Sequence, residues 1–176
     1  MNALAERKTS REFAETAIPE QKLSDMLWAA YGINRPEEGK RTAPSALNRQ
    51  EIDLYAIMES GAYLYNASSN KLVQVTTEDI RAKSGFGEFA NKAPLTFVFV
   101  INKARQRMSD PMASSTTGAV DSGFIGQNIY LFCASEEMNA VFFATLNKDS
   151  LASSLKLSKG DTVLYGQTVG FPPEEK

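Results

Sequence analysis

The chain has 176 residues, 43% of them hydrophobic and 23% charged, with 19 Lys+Arg set against 21 Asp+Glu for a formal net charge of -2. A globular chain of this size buries roughly 70% of its unfolded surface, so it needs no disulfide or structural metal to be stable. It has no histidine and a single cysteine, Cys133, which excludes Ser-His-Asp and Cys-His nucleophile systems, zinc centres and iron-sulfur clusters built within one chain.

The near-neutral balance speaks against nucleic acid as a partner, and no apolar run approaches the ~20 residues of a membrane span. Met1 to Ser10 lacks the apolar stretch of a signal peptide, so the expected location is cytoplasmic, with export from a trimmed precursor as the alternative. No linker or internal repeat divides the chain, and residues 1–176 are expected to form one domain.

A short helix is expected between Met1 and Thr9. A second follows Pro19, where Leu23, Met26, Leu27, Ala30 and Tyr31 recur at three- and four-residue spacing until Gly32. Glu51 to Met58 has the alternation of a strand with Asp53 and Tyr55 on the outer face, and Ala62–Tyr65 with Leu72–Val75 suits a hairpin.

The run Leu95–Ile101 is continuously apolar, as a central strand covered on both faces would be. Arg105 to Gly118, rich in Ser and Thr, is expected to be a mobile or substrate-facing loop. Ala119 to Met138 has helical length with apolar residues around most of its circumference, which predicts a buried central helix with Cys133 as a small core residue. A strand at Val141–Ala144, a helix at Lys148–Leu155 and a last strand at Thr162–Gly170 complete an α+β class, with a mixed, mostly antiparallel sheet flanked by helices.

Three polar clusters stand out from this framework. Arg7-Lys8-Thr9-Ser10-Arg11 places cations and hydroxyls together, the donors that a phosphate takes. The segment Arg41 to Gln50 offers small and hydrogen-bonding residues just before a strand, and could admit a flat heteroaromatic ligand or be a plain loop. Asp121-Ser122-Gly123 and Gly126-Gln127-Asn128 lie on the long apolar helix, where the glycines permit close packing and Gln127 and Asn128 need partners if buried. Phe86 and Phe89 are further candidates for a substrate pocket.

In this order the clusters resemble the FMN-dependent nitroreductase family, and within it the small branch of SagB-like, azoline-oxidising oxidoreductases. The family's Arg-Arg-Ser-x-Arg-x-Phe opening is matched by Arg7, Lys8, Thr9, Arg11 and Phe13. Its Pro-Ser-Ala-x-Asn-x-Gln loop is matched by Pro44, Ser45, Ala46, Asn48 and Gln50, its Gly-x-x-x-Gln-Asn helix by Gly123, Gln127 and Asn128, and its Gly-Phe-Pro ending by Gly170, Phe171 and Pro172.

The resemblance implies a nitroreductase-like fold with FMN at a homodimer interface. Arg7, Lys8, Thr9 and Arg11 would hold the phosphate and the pyrimidine edge, while Pro44, Ser45, Ala46 and Asn48 would reach FMN from the other subunit. Phe142, Phe143, Ala144 and Thr145 would pack beside the flavin ring, with a backbone amide near N5.

The implied activity is hydride transfer from NAD(P)H through FMN to a small acceptor such as a nitroaromatic, quinone or enone, with no catalytic side chain and no metal. The alternatives are dehydrogenation of a peptide azoline, or a non-catalytic flavin- or ligand-binding protein on the same fold. Two departures matter: the chain carries only Lys176 as a basic residue beyond the Gly-Phe-Pro ending, and Arg49 stands where an apolar residue is common.

Overall fold

A computed structural model describes residues 1–84 and 87–174. Its centre is a six-stranded sheet built from β3 (Ile52–Met58), β4 (Gly61–Asn66), β5 (Lys71–Thr76), β6 (Leu95–Ile101), β7 (Asn139–Phe143) and β8 (Thr162–Gly170). The spatial order is β5-β4-β3-β6-β8-β7, and all neighbouring pairs run antiparallel. A two-stranded ribbon, β1 (Ile33–Arg35) with β2 (Lys40–Arg41), lies apart from it.

The helices are α1 (Asn2–Glu6), α2 (Glu20–Tyr31), α3 (Arg81–Ser84), α4 (Glu88–Lys92), α5 (Lys103–Gln106), α6 (Pro111–Ser135) and α7 (Lys148–Ser154). The α+β class expected from the sequence is the one found, and β6 sits inside the sheet with all seven residues buried.

Both sheet faces are covered. On one, Met26, Leu27 and Ala30 of α2 and Ile125, Ile129 and Cys133 of α6 pack on Leu54, Phe97 and Phe99; on the other, Leu151 of α7 packs with Leu155, Tyr55, Ile57, Val98 and Val100. Tyr55 is therefore buried rather than outward-facing, because α7 covers a face that alternation alone assigns to solvent.

Two expectations about α6 are corrected. The Arg105–Gly118 segment is mostly helix: α5 ends at Gln106, and α6 begins at Pro111 behind Asp110, whose carboxylate accepts the Met112 and Ala113 amides at 3.1 and 3.2 Å. Nor is α6 buried all round, for Val120 and Phe124 are 50% and 44% exposed.

At two points α6 presents glycine to the sheet. A Cβ on Gly118 would lie 2.5 Å from the Ile101 Cδ1, and one on Gly126 would lie 2.8 Å from the Phe142 ring, whereas Gly123 faces open space. Removing the cap with Asp110→Ala is expected to cost about 1 kcal/mol and to lower Tm by roughly 2–4 °C, measured by thermal unfolding followed by circular dichroism.

Candidate active site

The Arg7 cluster runs along the outer edge of β7, the last strand of the sheet. An edge strand leaves every second residue's amide and carbonyl facing outward. Here the outward carbonyl of Ala140 accepts the Ser10 amide at 3.0 Å, and the outward amide of Phe142 donates to the Tyr130 hydroxyl at 2.8 Å. Asn139 Nδ2 donates to the Glu12 carbonyl at 2.8 Å, and the Ala14 amide donates to Phe171 at 2.9 Å. The segment is thereby fixed from Ser10 to Ala14 against the end of the sheet.

Within it, alternate residues separate. Thr9 Oγ1 lies 3.1 Å from the Tyr130 hydroxyl, and the Arg7 guanidinium lies 5.3 Å from the Tyr130 ring centroid, a cation–π arrangement. Lys8, between them, lines a cavity of about 520 Å³ together with Glu6, Glu137 and Pro172. Arg11 is exposed.

The chain after β7 continues the same surface. Phe142 and Phe143 are half-buried while Ala144 and Thr145 are exposed. Phe142 lies 5.3 Å from Phe99 and 5.1 Å from Tyr165, and Phe143 meets Phe89 edge-on at 5.8 Å. Phe142, Tyr130, Gly123, Gly126 and Gln127 line a hollow of about 190 Å³. Phe89 thus belongs to this aromatic wall; Phe86 and Lys176 lie outside the described residues. Gln127 is exposed and Asn128 donates to the Ala30 carbonyl at 3.3 Å, so both polar residues of the α6 motif avoid an unpaired burial.

The Pro44–Gln50 segment is attached elsewhere on α6. The Ala46 amide donates to Asp121 Oδ2 at 3.0 Å, and the Gln50 amide donates to Ser45 Oγ at 2.9 Å. Leu47, Asn48 and Gln50 all have φ near +50°, a left-handed conformation that costs energy for residues with a Cβ. The Gln50 side chain holds it in place, accepting from Arg41 Nε at 2.7 Å and donating to the Gly39 carbonyl at 2.6 Å. Asp121 and Tyr130 are nine positions apart, roughly 14 Å along the helix axis, so the two clusters occupy different halves of α6 within one chain.

Beneath this second segment lies a group that the sequence does not single out. Glu51 is fully buried beside Asp121, and neither of its carboxyl oxygens has a hydrogen-bond partner among the described residues. Burial pushes its carboxyl up from the ordinary 4.5 to about 7; the neighbouring Asp121 carboxyl acts in the same direction, and Arg49 acts against them.

Comparison with known proteins follows this geometry. The profile of the Nitroreductase family matches residues 4–171, and the chain belongs to that family. A crystal structure of a nitroreductase-type protein from Ralstonia eutropha superposes with a TM-score of 0.94 at 35% identity, covering 99% of this chain and 83% of that one. A protein of Methanocaldococcus jannaschii described as a nitroreductase is 23% identical over 168 residues, 90% of this chain and 84% of its own length. A chain of the Escherichia coli microcin synthetase McbBCD complex, with truncated pro-MccB17 bound, superposes with a TM-score of 0.80 at 15% identity, over 99% of this chain and 74% of that one. The family assignment makes the chain a nitroreductase-family oxidoreductase.

The Glu51 carboxyl has a pH consequence. Its folded-state pKa lies above its unfolded value, so between pH 4.5 and about 7 the folded state binds the extra proton. Stability therefore falls as pH rises through that window and levels off above it, at no more than roughly 1.4 kcal/mol per pH unit. Glu51→Gln should flatten this dependence and raise stability at about pH 8, read from urea unfolding at a series of pH values.

Proposed function

We propose that residues 1–176 form one FMN-binding oxidoreductase unit that takes a hydride from NAD(P)H and delivers it to a small acceptor of the nitroaromatic, quinone or enone type. The observation that carries this reading is the Arg7–Thr9 pair held at the foot of β7 by Tyr130 and by the Ser10–Ala140 hydrogen bond. A guanidinium, a hydroxyl and the exposed Arg11 make an acceptor-binding surface that suits a phosphate and a flavin pyrimidine edge.

When bound, the flavin supplies the atom that accepts and returns the hydride; the side chains of this chain bind and orient it. Arg11 beside the pyrimidine edge would stabilise negative charge on the reduced ring. The Phe142 amide is engaged by Tyr130 and Phe143 pairs with Gly166 in the ladder, so an amide offered to the ring would come from Ala144 or Thr145. Lys8, in the company of Glu6 and Glu137, contributes less to an anion site than Arg7 does.

We further propose a homodimer. Pro44, Ser45, Ala46 and Asn48 are carried about 14 Å along α6 from the Arg7 cluster, and a two-fold axis would bring each cluster to the other chain's complement. The exposed apolar side chains of Val120 and Phe124 on α6, and of Leu47 at 82% exposure, supply the surface for that contact. Dehydrogenation of a peptide azoline is the alternative; the likeness to the microcin synthetase chain, at 15% identity, bears on fold alone.

Anaerobic titration of FMN-loaded protein with NADH and with NADPH should bleach the visible flavin spectrum with at least one donor; protein that takes up no FMN would sink the reading. Arg7→Ala should weaken FMN binding by about 10–100-fold, the loss of one charge-assisted contact. Phe124→Glu should shift the protein from dimer to monomer in sedimentation and weaken FMN binding with it.

A further inference from the structure

Tyr130 joins three parts of the candidate site with one side chain. Its hydroxyl lies 2.8 Å from the Phe142 amide on β7 and 3.1 Å from Thr9 Oγ1, and its ring lies under the Arg7 guanidinium. It also separates the hollow that holds Phe142 and Gly126 from the cavity that holds Lys8.

The direction of these hydrogen bonds follows from the donor inventory. A backbone amide can only donate, so the Tyr130 oxygen accepts from the Phe142 N–H at one of its two lone pairs. Either hydroxyl could donate across the 3.1 Å Tyr130–Thr9 contact, but Thr9 Oγ1 gives the phenol's single proton an acceptor among the described residues, whereas the reverse direction would leave that proton without one there. Having received that proton's hydrogen bond, the Thr9 hydroxyl turns its own proton outward, toward the exposed side of the segment. The chain Phe142 N–H, Tyr130 O–H, Thr9 O–H runs in one direction and ends in a donor.

We propose that Tyr130 is a positioning residue for cofactor binding, which fixes Thr9 as a hydrogen-bond donor toward an acceptor-only oxygen of the ligand and sets Arg7 beside it. The proposal rests on the FMN reading for the identity of the ligand, but the relay itself is a property of this chain. A terminus locked as donor, next to a guanidinium, suits a phosphate oxygen or a ring carbonyl and disfavours a ligand group that must donate. Because hydrogen bonds in series polarise one another, the Thr9 proton is also a stronger donor than an isolated threonine hydroxyl.

The test uses Tyr130→Phe, which keeps the ring under Arg7 and removes only the hydroxyl. FMN binding, followed by quenching of flavin fluorescence, should weaken by about fivefold to thirtyfold. Thr9→Val should weaken it similarly, the double variant should be little worse than either single one, and Thr9→Ser should bind as the parent does. Amide hydrogen exchange at Phe142 in FMN-free protein should quicken by about fivefold or more in Tyr130→Phe, and remain unchanged in Thr9→Val.

Riboflavin in place of FMN identifies the acceptor: a penalty that vanishes with riboflavin places Thr9 on the phosphate, and one that persists places it on the ring. Full additivity of the two substitutions, or unchanged Phe142 exchange in Tyr130→Phe, overturns the proposal. If the parent protein takes up no FMN, the flavin reading fails, and the exchange measurement decides the relay alone.

Discussion

The approach of α6 to the sheet is the constraint on which the candidate site depends. Gly118 and Gly126 let the helix backbone lie directly on Ile101 and Phe142, which fixes both the height and the rotation of a 25-residue helix. Everything functional is then placed by position along that helix: Asp121 takes hold of the Ala46 amide, and Tyr130 takes hold of β7 and Thr9. A bulkier residue at either glycine would lift the helix and shift both anchors together, since a close-packed interior transmits displacement rather than absorbing it.

The polar groups beneath α6 carry a different kind of demand. Glu51, Asp121, Ser122 and Gln167 are buried between helix and sheet, and Gln167 Nε2 donates to the Gly126 carbonyl at 3.1 Å. Such groups cost several kcal/mol each if left unmatched. Burial raises the Glu51 pKa, which lessens that cost by favouring its neutral form, and Asp121 stabilises a loop whose residues sit in left-handed backbone conformations. Order in the Pro44–Gln50 segment therefore depends on the Asp121 carboxylate that receives the Ala46 amide.

Long or strongly patterned segments were legible from the residues. The bounds of β6 follow from its apolar run, and α2 from its three- and four-residue repeat. The first third of α6 was hidden because Pro111 to Gly118 has turn-forming composition, although Asp110-Pro111 is a helix start in its own right. The ribbon of β1 and β2, at three and two residues, is too short to carry a period.

In the candidate site the donors at Arg7 and Thr9 could be picked out by type, because cations beside hydroxyls advertise their chemistry. Tyr130 could not, since its partner Thr9 lies 121 positions away in the chain. Its one local signal was a phenol on a largely apolar helix, a group that needs a hydrogen-bond partner when covered. Glu51 left no local trace, because a carboxyl before an apolar strand is ordinarily a solvated one.

The segment bound along β7 has a second role besides presenting cations. Asn139–Phe143 is a short, uncharged and mostly apolar strand at the end of a sheet, the type of edge that pairs readily with another chain. Ser10 and Tyr130 occupy its outward carbonyl and amide. A chain clipped after Thr9 or loosened there would expose a strand edge as well as lose a ligand contact, so damage at this point would appear as self-association and precipitation before it appeared as a slow enzyme.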